Sequence, residues 1–235
     1  MVMKMKIVLL GAPGTGKGTM AFSMSRALSL PHISTGDLFR SHIAEETDLG
    51  QKAKQYLASG RLVPDEITIG MVKERLAEAD CRAGFLLDGF PRTVPQAVAL
   101  NEVLKLEGEE LDLVLNLQVP EELIFRRITN RLVCSACGKP YNKLDFPPTE
   151  DGVCDICGGP VIQRQDDTAE TLRTRLDTYY ELTDPLVAYY QEQGILLNHD
   201  NSSKHTPDQV ESLITKVKEQ INLKRRSSAA AISRE

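Results

Sequence analysis

Lys6-Ile-Val-Leu-Leu10-Gly11-Ala-Pro-Gly14-Thr15-Gly16-Lys17-Gly18-Thr19 is an apolar run that breaks into a glycine-rich turn carrying one lysine. A short apolar run ending in glycine reads as a buried parallel strand, and an amphipathic helix is expected from near Thr19. Phosphate oxygens need several donors at once, and the successive N–H groups of such a turn can all face inward. A side chain beyond Cβ would block that approach, hence Gly11, Gly14, Gly16 and Gly18. The helix N-terminus adds partial positive charge, and Lys17 adds a full charge for the β- and γ-phosphates. The general phosphate-loop pattern has Ser or Thr directly after the lysine; here Gly18 intervenes and the hydroxyl comes at Thr19. Glycines also favour an ordinary strand–turn–helix corner, but four of them with a lysine between strand and helix point to nucleotide phosphate.

Comparable apolar runs recur at 84–87 before Asp88, at 113–119 and at 195–198, separated by amphipathic stretches such as 66–76 and 172–193. Strands alternating with helices imply crossover units, so the expected fold class is α/β, a doubly wound parallel sheet covered on both faces. Two segments depart from the alternation. Residues 34–63 read as helices without a strand, and residues 130–167 are rich in Gly, Pro, Asp and Cys, as a compact insert would be. The expected division is a core of 1–33, 64–129 and 168–223, inserts at 34–63 and 130–167, and a small, polar, disordered tail at 224–235. Asp88 ends its strand at the carboxyl edge, where open α/β sheets bind ligands. Beside a phosphate loop, that carboxylate is expected to hold Mg²⁺ or its waters.

With 235 residues, 41% of them hydrophobic and 26% charged, the composition is that of a globular protein. No apolar run approaches the ~20 residues that span a bilayer. The first is too short for a signal peptide, and residue 2 is valine, not the glycine of a myristoylation signal; a cytoplasmic protein without a membrane partner is expected. The net charge of −5 argues against a nucleic-acid partner while leaving room for a basic cleft that holds an anionic small molecule. Of five cysteines, Cys81 stands alone and is expected in the core. The others form Cys134-x-x-Cys137, sixteen residues, then Cys154-x-x-Cys157, the spacing of a four-thiolate zinc knuckle. Four ligands fill a tetrahedral ion and leave no position for water, so this zinc is expected to be structural. Zinc ribbons that bind nucleic acid share the spacing but need exposed basic residues, and the segment has few. A redox sensor would instead require reversible disulfides.

The shifted hydroxyl narrows the class. Gly-x-Pro-Gly-x-Gly-Lys17-Gly-Thr19 at the end of the first strand resembles the nucleoside monophosphate kinases, and the adenylate kinase family in particular. So do His32-Ile-Ser-Thr-Gly-Asp37, Phe85-Leu-Leu-Asp-Gly-Phe-Pro-Arg92, Arg131 just before the cysteines, and Arg164 through Arg175. The resemblance implies that Gly14 to Thr19 (Thr15, Gly16, Lys17 and Gly18 between them) hold ATP, with Arg131 on its phosphates and Tyr141 near its adenine. It implies that Arg92 and Arg40 clasp the AMP phosphate, that Gly89, Phe90 and Pro91 border it, and that Pro91 follows a cis bond. It sets Thr35 against the acceptor adenine, Gln96 on the base edge, and Arg61, Leu62 and Val63 as backbone contacts. Arg164 and Arg175 would approach the acceptor phosphate and the transferring group. Asp166 and Asp167 either hold those arginines or form a solvated acidic pair. Ser34 is also placed to cap a helix through the Asp37 amide.

On this reading 34–63 is the monophosphate-binding segment, and 130–167 is a zinc-stapled lid that folds over ATP. The expected reaction is phosphoryl transfer from Mg-ATP to AMP giving two ADP, by Lys17, Mg²⁺ and the arginines without a general base. A monomer is expected, since every part of the site lies in one chain. Alternatives left open are GTP as donor, another monophosphate acceptor, and a non-catalytic nucleotide sensor; UMP and CMP kinases usually have a shorter lid, and no machinery residue is missing here.

Overall fold

In a computed structural model, residues 4–203 and 206–232 are described, the last helix by its backbone alone beyond Arg226. Five parallel strands form the central sheet in the order β2-β3-β1-β4-β8: β1 Met5–Leu10, β2 His32–Ser34, β3 Gly84–Asp88, β4 Leu113–Gln118 and β8 Leu196–Asp200. In β1 every residue is buried, and the period of two sorts them. Met5, Ile7 and Leu9 meet Met20 and Met24 of α1 (Lys17–Leu28) and Leu213, Val217 and Ile221 of α9 (Pro207–Ile232). Val8 and Leu10 meet Leu100 and Leu104 of α5 (Val94–Leu106) and Tyr190 of α8 (Pro185–Glu192). A strand covered on both faces reads as an unbroken apolar run, and that is why β1 was recognisable. The chain first builds β2 and β3 on one side of β1, then crosses to β4 and β8 on the other, which leaves a switch point at the carboxyl end of β1.

The inserts leave from that edge. α2 (Thr35–Ala44) and α3 (Asp48–Ser59) form one arm. It packs Phe39, Ala53 and Val63 against Met71 of α4 (Asp65–Leu76). The other arm follows α6 (Glu121–Thr129) and holds β5 Arg131–Cys134, β6 Pro140–Asn142 and β7 Val161–Ile162 as an antiparallel sheet in the order β6-β5-β7.

Two expectations are corrected. The stretch 172–193 is not one helix: α7 (Ala169–Thr178) passes through a π-helical turn at Tyr179–Thr183 before α8. Pro185 opens α8, because proline has no N–H to continue the preceding ladder. The short β2 and the lid strands carry no apolar run long enough to announce them. The tail expected from residue 224 instead continues α9 to Ile232. Lys224 donates to Leu111 O (2.9 Å), and Arg225 donates to Asp112 (2.8 Å) and Lys4 O (2.6 Å); residues 233–235 lie outside the described residues. Among those described, no helix is long and apolar enough to cross a membrane.

Candidate active site

The strand ends, α1 and both arms enclose a cleft of about 880 Å³. Its floor is the glycine turn. Gly11 has φ +138°, and a Cβ there would lie 2.4 Å from Leu117 O, so only glycine lets β1 turn this close to β4. Gly16, at φ 91°, caps α1, whose first residue is Lys17. Lys17 Nζ donates to Gly11 O (2.7 Å) and Ala12 O (2.9 Å). Burial pushes its pKa down to about 8, with Arg92, Arg131 and Arg175 adding to that fall and Asp88 opposing it.

Asp88 closes β3 beside this lysine. Burial alone would raise its carboxyl, but neighbouring His32 and the Lys17 charge hold it below the ordinary range. His32 Nε2 lies 3.5 Å from Asp88 Oδ2, at the outer limit of a hydrogen bond, and has no nearer partner among the described residues.

Arginines line the rest of the cleft. Arg92 follows the cis Phe90–Pro91 bond and donates from Nε to Gly89 O (3.0 Å). Burial pushes its pKa below the ordinary value, aided by Arg175 and Arg40. Arg131 Nε donates to Asp167 Oδ2 (2.8 Å) and its Nη2 to the same carboxylate, the bidentate match of guanidinium to carboxylate. Arg175 pairs with Asp166 and lies 3.6 Å from Asp167. Asp167 has no side-chain exposure, so the acidic pair holds arginines and is not a solvated pair. Arg164 donates to Asp37 Oδ1 (3.0 Å), which also accepts from Arg40. Burial, with Arg40 and Arg131 nearby, lowers the Arg164 pKa to about 10. Asp37 falls to about 2 because these two guanidinium groups outweigh its burial. Five arginines and a lysine thus converge with fewer carboxylates than cations, as a site for phosphate requires.

Nearly every residue singled out from the sequence lines this cleft: Gly14, Gly16, Lys17, Gly18, Thr19, Thr35, Arg40, Arg61, Leu62, Val63, Asp88, Gly89, Pro91, Arg92, Gln96, Arg131, Tyr141, Arg164 and Arg175. Two do not. Thr15 is buried with its hydroxyl on Ala12 O (2.9 Å), and the Phe90 ring packs in the core beside Leu87 and Ala97. Tyr141 reaches the cleft from beneath, its hydroxyl donating to Cys154 Sγ (3.4 Å) and accepting from Asp155 N (2.8 Å). Thr35 Oγ1 donates to Gly89 O (2.8 Å), and Ser34 accepts the Asp37 amide (3.2 Å) as a helix cap should. Arg127 was missed. It lines the far end of the cleft and donates to Asn201 O (3.0 Å) and Ser202 O (3.2 Å). On an amphipathic helix it reads as one more surface arginine, and no sequence signal separates it.

The four cysteine sulfurs of the lid lie within 4.8 Å of one another, with Cys134–Cys157 at 3.5 Å and Cys137–Cys154 at 3.6 Å. A tetrahedral zinc with ~2.3 Å bonds needs its sulfurs about 3.8 Å apart. Backbone amides of Cys137 and Ile156 approach Cys134 and Cys154 sulfurs at 3.5 Å, as suits thiolate. The donor set fits one such ion.

A glycine loop at the switch point, a carboxylate beside its lysine and two arms carrying arginines define a P-loop nucleotide kinase. A family profile described as adenylate kinase matches residues 9–195. The adenylate kinase of Clostridium beijerinckii is 56% identical over 198 residues, 84% of this chain and 92% of that protein. The adenylate kinase of Caldicellulosiruptor bescii is 51% identical over 193 residues (82% and 90%), and that of Clostridium kluyveri 52% over 200 (85% and 92%). The chain belongs to the adenylate kinase family, phosphotransferases that act on AMP.

Proposed function

We propose that this enzyme transfers the γ-phosphoryl group of Mg-ATP reversibly to AMP, forming two ADP, with donor phosphates on the glycine turn and the acceptor phosphate among Arg40, Arg92, Arg164 and Arg175. The observation that carries this reading is the cleft itself, where six buried or half-buried cations outnumber the carboxylates that hold them. The acceptor phosphate is already an anion, so no base has to remove a proton. Lys17 neutralises the donor side, Arg131 and Arg175 the transferring group, and the carboxylates Asp166 and Asp167 keep those two arginines aimed before substrate arrives. Magnesium, when bound with ATP, supplies charge neutralisation along the phosphates, and Asp88 is the residue that would hold it or its waters. Thr35 and Gln96 face the acceptor base, with Arg61, Leu62 and Val63 beside it.

Zinc is the proposed ion of Cys134, Cys137, Cys154 and Cys157, where it would stiffen the lid so that the lid excludes water as one body. Thiols held reduced for a metal fit the cytoplasm, and a cleft completed within one chain fits a monomer. Lys17→Met is expected to lower turnover by about 10²-fold or more in a coupled ADP assay, because the donor phosphates lose their buried charge. Turnover within a few-fold of the unaltered enzyme overturns the reading.

A further inference from the structure

Gln96 lines the acceptor end of the cleft, yet it is only 2% exposed and bonded at both ends of its amide. Its Oε1 accepts from the Arg92 backbone N–H (2.7 Å), and its Nε2 donates to Asp65 Oδ1 (2.7 Å). A carboxylate only accepts and a backbone N–H only donates, so these partners permit one orientation of the amide. Asp65 is itself fixed. As the first residue of α4 it accepts on Oδ2 from Thr93 Oγ1 (2.8 Å), and the same Thr93 hydroxyl accepts the Gln96 N–H (3.3 Å) as the cap of α5. Asp65 does not line the cleft; whatever it does to a nucleotide passes through Gln96.

We propose that Asp65 is a specificity-determining positioning residue: by locking the polarity of the Gln96 amide it makes the acceptor site favour a 6-aminopurine over a 6-oxopurine. The proposal rests on the reading that Gln96 meets the acceptor base. With one N–H and one lone pair spent inside the protein, Gln96 retains one donor and one acceptor for the base. Adenine offers an amino donor beside a ring-nitrogen acceptor. Hypoxanthine and guanine offer the reverse, a carbonyl acceptor beside an N–H donor. An amide pairs with either kind of edge, but it must turn end for end between them. Here that turn would set Oε1 against the Asp65 carboxylate and the NH₂ group against the Arg92 N–H, leaving four buried polar groups unpaired or opposed.

The test compares AMP with inosine monophosphate, whose base differs from adenine only along this edge. Asp65→Asn keeps the shape but can donate or accept, so of the two oppositions a turned Gln96 amide would meet, the one at residue 65 is removed and only that at the Arg92 N–H remains. The ratio of kcat/KM for AMP to that for inosine monophosphate is expected to fall about tenfold, with the KM of Mg-ATP unchanged. The ratio is taken within one preparation, so a lost folded fraction cancels; Asp65→Ser, whose hydroxyl also accepts or donates, repeats the test if Asp65→Asn does not fold. A fall of about threefold or more supports the proposal, and a smaller change or a rise overturns it. Gln96→Leu separates the layers. If it leaves the ratio unaltered, Gln96 does not read the base and the underlying reading fails. If it abolishes discrimination while Asp65→Asn preserves it, only the role of Asp65 fails.

Discussion

Two arms reach over one cleft, and they are held together by different physics. The arm of α2 and α3 is packed. Ser34 and Thr47 cap its helices, and Phe39, Ala53 and Val63 bury against Met71. Its helices approach so closely at Gly50 that a Cβ there would stand 2.1 Å from His42 O. The cysteine arm has only Leu132, Tyr141 and Val161 to bury, gathered around Cys134 and Cys154, while Leu144, Ile156 and Ile162 stay exposed. So few apolar side chains offset little of the entropy of ordering the segment, and the proposed zinc would make up the difference. The packed arm draws its order from the hydrophobic effect shared with the core, whereas ligation by the four cysteines is the source proposed for the lid. The arms should therefore fail separately.

The largest separation is expected from Cys134→Ser. Losing one of four ligands releases the lid, so Arg131 and its partner Asp167 lose their register. Turnover should fall about 100-fold, and hydrogen exchange should accelerate through 131–162 while 35–59 stays protected. Exchange accelerating equally in both arms would break the distinction. The mirror experiment is Met71→Ala, which opens a cavity under the packed arm where Met71 is 7% exposed. A buried Met→Ala change costs about 2–5 kcal/mol. Part of that should surface as a rise of about tenfold in the KM of AMP, with the KM of Mg-ATP and the exchange of the lid unaltered. A matching rise for Mg-ATP would mean that the arms are one cooperative unit.

The same contrast governs what could be read without a structure. Glycine and cysteine announce themselves because their positions admit little else: Gly11 by its close approach to β4, the four thiols by a spacing that brings them to one point. The central strands were legible because both faces are buried. β2 was not, since three residues with one buried between two half-exposed carry no period. Asp167 looked as much like a solvated acid as an anchor, because its burial is created by Arg131 and Arg175 from elsewhere in the chain. The C-terminal segment looked frayed by its polarity, but Lys, Arg and Ala favour helix, and Leu111 O and Asp112, distant in sequence, hold its lysine and arginine. Local constraint is visible in a sequence, and partnership across the fold is not.

The smallest expected effect distinguishes donor from acceptor by pH. The Lys17 pKa is pushed down to about 8, chiefly through burial but also through Arg92, Arg131 of the lid and Arg175. Phosphates favour the protonated lysine, so Mg-ATP binding must bring a proton with it once the pH exceeds about 8. Below about pH 7 the lysine is already charged and the KM of Mg-ATP should be flat; between pH 7 and 8.5 it should rise about fourfold, the inverse of the protonated fraction. The proposed acceptor side would hold its phosphate with guanidinium groups, of which Arg164 is lowered only to about 10, so the KM of AMP should stay level over the same interval. Lys17→Arg, which keeps its charge throughout, should remove the rise for Mg-ATP. A parallel rise for both nucleotides would locate the titrating group between the two pockets, and the separation of the two sides by their cations would be lost.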